Sequence, residues 1–239
     1  MKKFIALALA ALMLLSLAAC GNDTPTQAPT QKPAETTKAA DTTTEAAAPA
    51  ETKDSSDATK APAASEGEWE TKGLPAVTAG CLDGKILIMS VGQSADVDLV
   101  CTPLKRAKID YYQNNLIEAD GVTDSYKILI CVVGGSNKGL GAASMDQADE
   151  EKRVTGVLEK AKSLGLTIVC IHNGGVDRRG TLSDAFIKLA FPEANYAIVL
   201  NSSDTDNLIH DILAAKSTPV AYVEKASECV NVLKYMLGK

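Results

Sequence analysis

From Lys85 onward, short continuous apolar runs alternate with longer amphipathic segments. "KILIMSVG" (Lys85–Gly92), "KILICVVGG" (Lys127–Gly135), "TIVCIHNGG" (Thr167–Gly175), "YAIVLN" (Tyr196–Asn201) and "PVAYVEK" (Pro219–Lys225) read as strands, and "DYYQN" (Asp110–Asn114) as a short further one. Apolar residues without alternation mean that both faces of these strands are covered. Between them, Ser94–Ile109, Asp146–Leu164, Leu182–Leu189, Thr205–Lys216 and Ser227–Leu237 carry helical spacing. Pro103 is expected to kink or split the first. The second is the strongest: Val154, Val157, Leu158, Ala161 and Leu164 share a face. Its start is acidic, Lys160 and Lys162 sit in its last turn, and Gly165 stops it. Buried strands alternating with helices predict an α/β fold, a doubly wound, mostly parallel sheet of five to six strands. The expected order is the flavodoxin-like or Rossmann-like 2-1-3-4-5, with a sixth strand at the edge.

The first third of the chain does not share this pattern. Met1-Lys2-Lys3 precedes an apolar run from Phe4 to Ala19, shorter than a membrane span of about 20 residues. The run ends in Leu17-Ala18-Ala19-Cys20 and then Gly21. This ending resembles the lipobox of bacterial lipoprotein precursors. The resemblance implies a signal peptide over 1–19, cleavage before Cys20, and diacylglyceryl and palmitate-type acyl chains on Cys20. These would anchor the protein to the extracytoplasmic face of the cell membrane. An ordinary secretory signal with an incidental Cys20 is the alternative. Residues 20–72 are dominated by Thr, Ala, Pro, Glu and Lys, and Trp69 is their only aromatic. That composition cannot offset ordering entropy, so a disordered tether is expected, spanning about 40 Å r.m.s.. The folded α/β domain is expected over 74–239.

The net charge of −6 lies mostly in the tether, and no basic patch or RNA-binding signature appears, so no nucleic-acid partner is expected. Beyond Cys20, the cysteines are Cys81, Cys101, Cys131, Cys170 and Cys229, with no CxxC or metal-ligand spacing. No cofactor or metal is implied.

In a doubly wound sheet, ligands bind beyond the C-terminal strand ends, at the switch point. The segments leaving those ends are "GQSADVD", "GGSNKGLGAAS", "HNGGVDRRG" and "NSSDTDN". The candidate ligand-binding residues are therefore Ser94, Gly134, Gly135, Ser136, Lys138, His172, Arg178 and Arg179. The same glycines also serve ordinary strand-to-helix turns. Lys138 precedes Gly139, which breaks the P-loop order, and "GLGAAS" follows the wrong strand for a dinucleotide fingerprint. Aromatics to hold a flavin are scarce. Arg178 and Arg179 could pair with an anionic ligand, next to a Thr181-x-x-Asp184 capping box. Alternatively, Arg179 pairs with Asp177 or Asp184, and His172 is structural. Ser94, Ser136, His172 and Asp184 are the residue types of a hydrolase. No serine lies in GxSxG, however, and Ser94 also suits the N-cap of the first helix. Asp204 and Asp206 read as charge near a helix start. On these residues the balance is against an enzyme.

"GQSADV" (Gly92–Val97), "VVGGSNKGLGAAS" (Val132–Ser144) and "HNGGVDRRGTLSDAFI" (His172–Ile187) resemble an uncharacterised family of secreted bacterial α/β domains. The resemblance implies a site on the rim and no particular reaction. The expectation is thus a membrane-anchored extracytoplasmic lipoprotein binding a small polar or anionic solute at the rim. A protein–protein interaction module of an envelope transporter or sensor complex is the alternative, and a cell-envelope hydrolase the next.

Overall fold

In a computed structural model, residues 67–239 are described; the lipobox, Cys20 and most of the tether segment lie outside them. The apolar runs form strands β1 (Ile86–Val91), β2 (Tyr112–Gln113), β3 (Ile128–Val133), β4 (Thr167–His172), β5 (Tyr196–Leu200) and β6 (Val220–Val223). They pair in parallel in the order β2-β1-β3-β4-β5-β6, the expected doubly wound order with its sixth strand at the edge. The chain leaves β1 toward β2 on one side and returns to β3 on the other, so the switch point lies between β1 and β3.

The helices are α1 (Val97–Arg106), α2 (Asn137–Ala142), α3 (Gln147–Ser163), α4 (Thr181–Ala190), α5 (Leu208–Ala214) and α6 (Cys229–Met236). Alternate strand residues face opposite ways. Leu87, Met89, Leu129 and Cys131 pack with Val154, Val157, Phe186, Ile187 and Leu213 of α3, α4 and α5. Ile86, Ile88, Ile128 and Ile130 pack with Val100, Leu104, Val232 and Leu233 of α1 and α6. Among the described residues, no helix is long and apolar enough to cross a membrane.

Four details depart from the sequence reading. Pro103 lies inside α1 without splitting it. The N–H it lacks would have bonded the carbonyl of Leu99, on the half-exposed side of the helix where solvent can reach. The segment after β3 is not all loop, because Asn137–Ala142 form α2, capped by Ser136 Oγ accepting Gly139 N–H at 3.0 Å. Thr181 is not a cap. Gly180 occupies that position, and Asp184 turns to Arg179. Trp69 and Glu70, read as the end of the tether, lie on the fold. Trp69 meets Tyr235 edge-on at 5.2 Å, Glu70 bridges Tyr222, and Ala76 bridges Val220. By contrast α3 matches its reading closely. Asp146 and Asp149 form a capping box, and Gly165 takes a positive φ at the far end.

Candidate functional site

The turn after β1 sets the site. Gly92 (φ 90°) and Gln93 (φ 56°) both adopt left-handed conformations, which is strained for glutamine. A Cβ on Gly92 would lie 2.6 Å from the Gly134 carbonyl oxygen, so glycine is required there. Gly139 is packed more tightly still, its Cβ position 1.9 Å from Gln93 O. The turn is held from beneath by a buried ion pair on α3. Glu150 Oε1 accepts the Gly92 N–H at 2.9 Å and Gln93 Nε2 at 3.1 Å. Arg153 donates to Glu150 Oε2 at 2.7 Å, to Ile117 O at 2.8 Å and to Ser90 O at 3.1 Å. Both members are buried, so Glu150 is a structural anchor and not merely one of the acidic residues at a helix start.

Past this turn, Ser94, Asp96, His172 and Asn173 gather in the interior of the rim. Their exposures are 3%, 4%, 0% and 2%. Ser94 Oγ accepts the Asp96 N–H at 3.2 Å and caps no helix; Asp96 itself precedes α1. His172 Nδ1 lies 2.7 Å from Val133 O, which acts as acceptor for an Nδ1–H. Burial holds the imidazole pKa below its ordinary value, against the opposing pull of that carbonyl. The neutral ring then presents Nε2 as a lone pair. Asn173 Nδ2 donates to Asp96 O at 3.3 Å, which fixes its amide orientation. Three buried atoms here have no hydrogen-bond partner among the described residues: Asp96 Oδ2, His172 Nε2 and Asn173 Oδ1. All three are acceptors in this protonation state.

The structure brings Ser94, Gly134 and His172 to one place. His172 bonds the carbonyl of Val133, and Ser94 Oγ is 3.5 Å from the Cβ position of the next residue, Gly134. Gly134, Gly135 and Ser136 are committed to the loop itself, donating their N–H groups to Val91 O, Ser183 Oγ and Gly92 O. Lys138 is exposed on α2. Arg178 Nε lies 3.6 Å from Asp96 Oδ1, its side chain half exposed over the cluster. Arg179 faces Asp184 at 2.7 Å and forms a fork with Asp206 at 3.0 Å. Burial alone would depress the Arg179 pKa, but these two carboxylates outweigh it and raise the pKa above its ordinary value. Asp204 is buried and accepts from Ile209 N, His210 N and Tyr222 Oη. Among the described residues, no group of three His, Cys, Asp or Glu side chains is placed to hold a metal ion. A cleft of about 670 Å³ lies at the opposite end of the sheet, where Glu193 is paired to Lys162 at 2.7 Å.

Sequence reading missed Asp96, Asn173, Glu150 and Arg153. Asp96 and Asn173 stand inside the quoted rim segments "GQSADVD" and "HNGG", but only burial separates them from ordinary turn residues.

No curated protein matches the chain. Among solved structures, the chain is similar to the psychrotrophic esterase EstA from Pseudoalteromonas sp., in a structure inhibited by monoethylphosphonate. That match has 10% identity, 59% of this chain and 78% of that one, and TM-score 0.26. It is also similar to a GDSL-like lipase from Bacteroides thetaiotaomicron, at 9% identity over 57% and 66% of the two chains, TM-score 0.29. A third is AlinE4, an SGNH-hydrolase family esterase, at 12% identity over 62% and 79%, TM-score 0.29. These matches to hydrolases overturn the expectation against an enzyme. At such TM-scores they transfer no reaction and no residue role. Residues 83–237 match the family model described as a domain of unknown function, DUF6305, and the chain belongs to that family.

Proposed function

We propose that the rim at the switch point is the active site of a hydrolase that acts on a small polar ester or amide. The observation that carries this reading is the buried, unpartnered Nε2 of His172 on the same rim as Ser94, the residue that follows the strained turn at Gln93. A neutral imidazole with its Nδ1–H pinned to a carbonyl is oriented as a general base. Ser94 is the nucleophile. Its Oγ attacks the substrate carbonyl carbon while its proton passes to His172 Nε2. That proton then leaves with the departing alcohol or amine, and water hydrolyses the acyl-serine. Ser94 Oγ and His172 Nε2 are not hydrogen bonded to each other here, so substrate binding must draw them together. The anionic-solute expectation loses support, because Arg179 is fully engaged by carboxylates and the inner atoms are acceptors.

The reading places this chemistry outside the cytoplasm, on a lipid anchor at Cys20; the support is the sequence of the leader alone. The test is mass spectrometry after treatment with a fluorophosphonate, together with turnover of a panel of short p-nitrophenyl esters. Ser94 should carry the phosphonyl group, Ser94→Ala should lose it, and His172→Gln should slow turnover by roughly 100-fold or more. Neither labelling nor turnover in the wild-type protein would sink the proposal.

A further inference from the structure

We propose that Asp96 and Asn173 form a subsite for a primary ammonium group, so that the ligand entering this site is a small amine. As a statement about substrate it rests on the hydrolase reading; as a statement about binding it rests on the atoms alone. Asp96 Oδ2 and Asn173 Oδ1 are buried and without partners. Asn173 cannot flip to offer its NH₂ instead, because Nδ2 is used on Asp96 O. A buried carboxylate oxygen without a donor is unfavourable, and more so than a neutral acceptor. The two glycines around it let the backbone pass close to that oxygen without a side chain against it: a Cβ on Gly134 would lie 3.2 Å from Asp96 Oδ2, and one on Gly174 3.0 Å.

The complementary group is a compact donor with positive charge. An anion would place another acceptor against those already present. Arg178 faces the other oxygen, Oδ1, at 3.6 Å, beyond hydrogen-bond length and half exposed. It is a loose counter-charge that an incoming cation can displace. A primary ammonium brings three N–H donors, enough for Asp96 Oδ2 and Asn173 Oδ1 with one to spare. Entry requires the segment carrying Arg178 to swing outward. Its ends are Gly174-Gly175 and Gly180, with φ of 67° at Gly175 and 137° at Gly180, where rotation is least hindered.

The probes are L-alaninamide and propionamide, which differ only in the amino group, titrated into the full chain and followed by calorimetry. Alaninamide should bind at least tenfold more tightly than propionamide. Asp96→Asn should erase that difference, and Ser94→Ala should keep it. Arg178→Gln, at an exposed side chain, should tighten alaninamide binding, and it serves as the second variant if Asp96→Asn does not fold. Equal affinity for the two amides, no binding of either, or discrimination that survives Asp96→Asn overturns the subsite. Failures of the two proposals separate cleanly. Ser94-dependent ester cleavage with no preference for amino esters removes the subsite and leaves the hydrolase. Asp96-dependent alaninamide binding without any cleavage does the reverse.

Discussion

Glu150, on the third helix, accepts the backbone N–H of Gly92, fifty-eight positions earlier in the chain, at 2.9 Å. A side chain in the first turn of one helix thus fixes the turn that ends another strand, and Arg153 holds that carboxylate in place. Removing one partner leaves the other charge buried and unpaired. Glu150→Ala is therefore expected to cost about 3–5 kcal/mol in urea unfolding, and the Glu150→Leu, Arg153→Met pair clearly less than either single truncation. A double change as costly as the sum of the two singles would show that the residues act independently.

Gly139 and Gly141 lie two positions apart on the same short helix but face opposite surroundings. A Cβ on Gly139 meets Gln93 O at 1.9 Å, whereas nothing lies within 4 Å of one on Gly141. Gly139→Ala should destabilise the domain by about 1–3 kcal/mol through overpacking against backbone. Gly141→Ala should be neutral or stabilising by about 0.5–1 kcal/mol. Thermal unfolding of the two variants side by side checks the contrast.

His172 titrates below its ordinary value of 6.5 because it is buried. The unfolded chain therefore binds its proton first as pH falls. The stability associated with neutral His172 is full above about pH 6.5, and it declines as pH drops from there toward the depressed native value. Denaturant midpoints measured from pH 7.5 to 5.5 should fall more steeply for wild type than for His172→Gln. Parallel curves would mean that His172 takes up its proton equally in both states.

The thiols differ in access. Cys81 is partly exposed, while Cys101, Cys131, Cys170 and Cys229 are buried. Burial raises the Cys101 pKa to about 11 and the Cys229 pKa to about 12. Iodoacetamide at pH 8 should modify Cys81 first among these five, and the others only on unfolding, as read by peptide mass spectrometry. Rapid modification of Cys229 in the native protein would contradict this packing.

Cys20→Ser should release the protein from membranes into the soluble fraction if the leader is processed as a lipobox. Retention of the variant after a high-salt wash would count against the anchor.

The strand order was legible because β1, β3 and β4 are apolar on both faces, which only a covered parallel sheet explains. The third helix was legible from Asp146 to Gly165 because its caps are local in sequence. The site was legible only as a rim. Asp96 and Asn173 are distinguished by what fails to reach them; the pairing of Arg179 with Asp184 was legible, but its second carboxylate, Asp206, comes from another loop. Such relations depend on long-range packing, which periodicity does not encode. Ser136 shows the converse: its hydroxyl, read as a ligand contact, serves the start of a short helix three residues away.

The bridges from Glu70 to Tyr222 and from Ala76 to Val220 have a bearing on where the chain can be cut. The sixth strand is an outer strand, and an outer strand with free N–H and C=O groups is a template for another chain. Val220 donates to Pro75 O and Tyr222 to Glu70 O, so the segment from Glu70 to Pro75 occupies those two N–H groups. A cut before Gly67 leaves the domain with this margin covered. A cut beyond Ala76 bares it, and the cleaved domain should then associate through that margin more than the domain cut before Gly67 does.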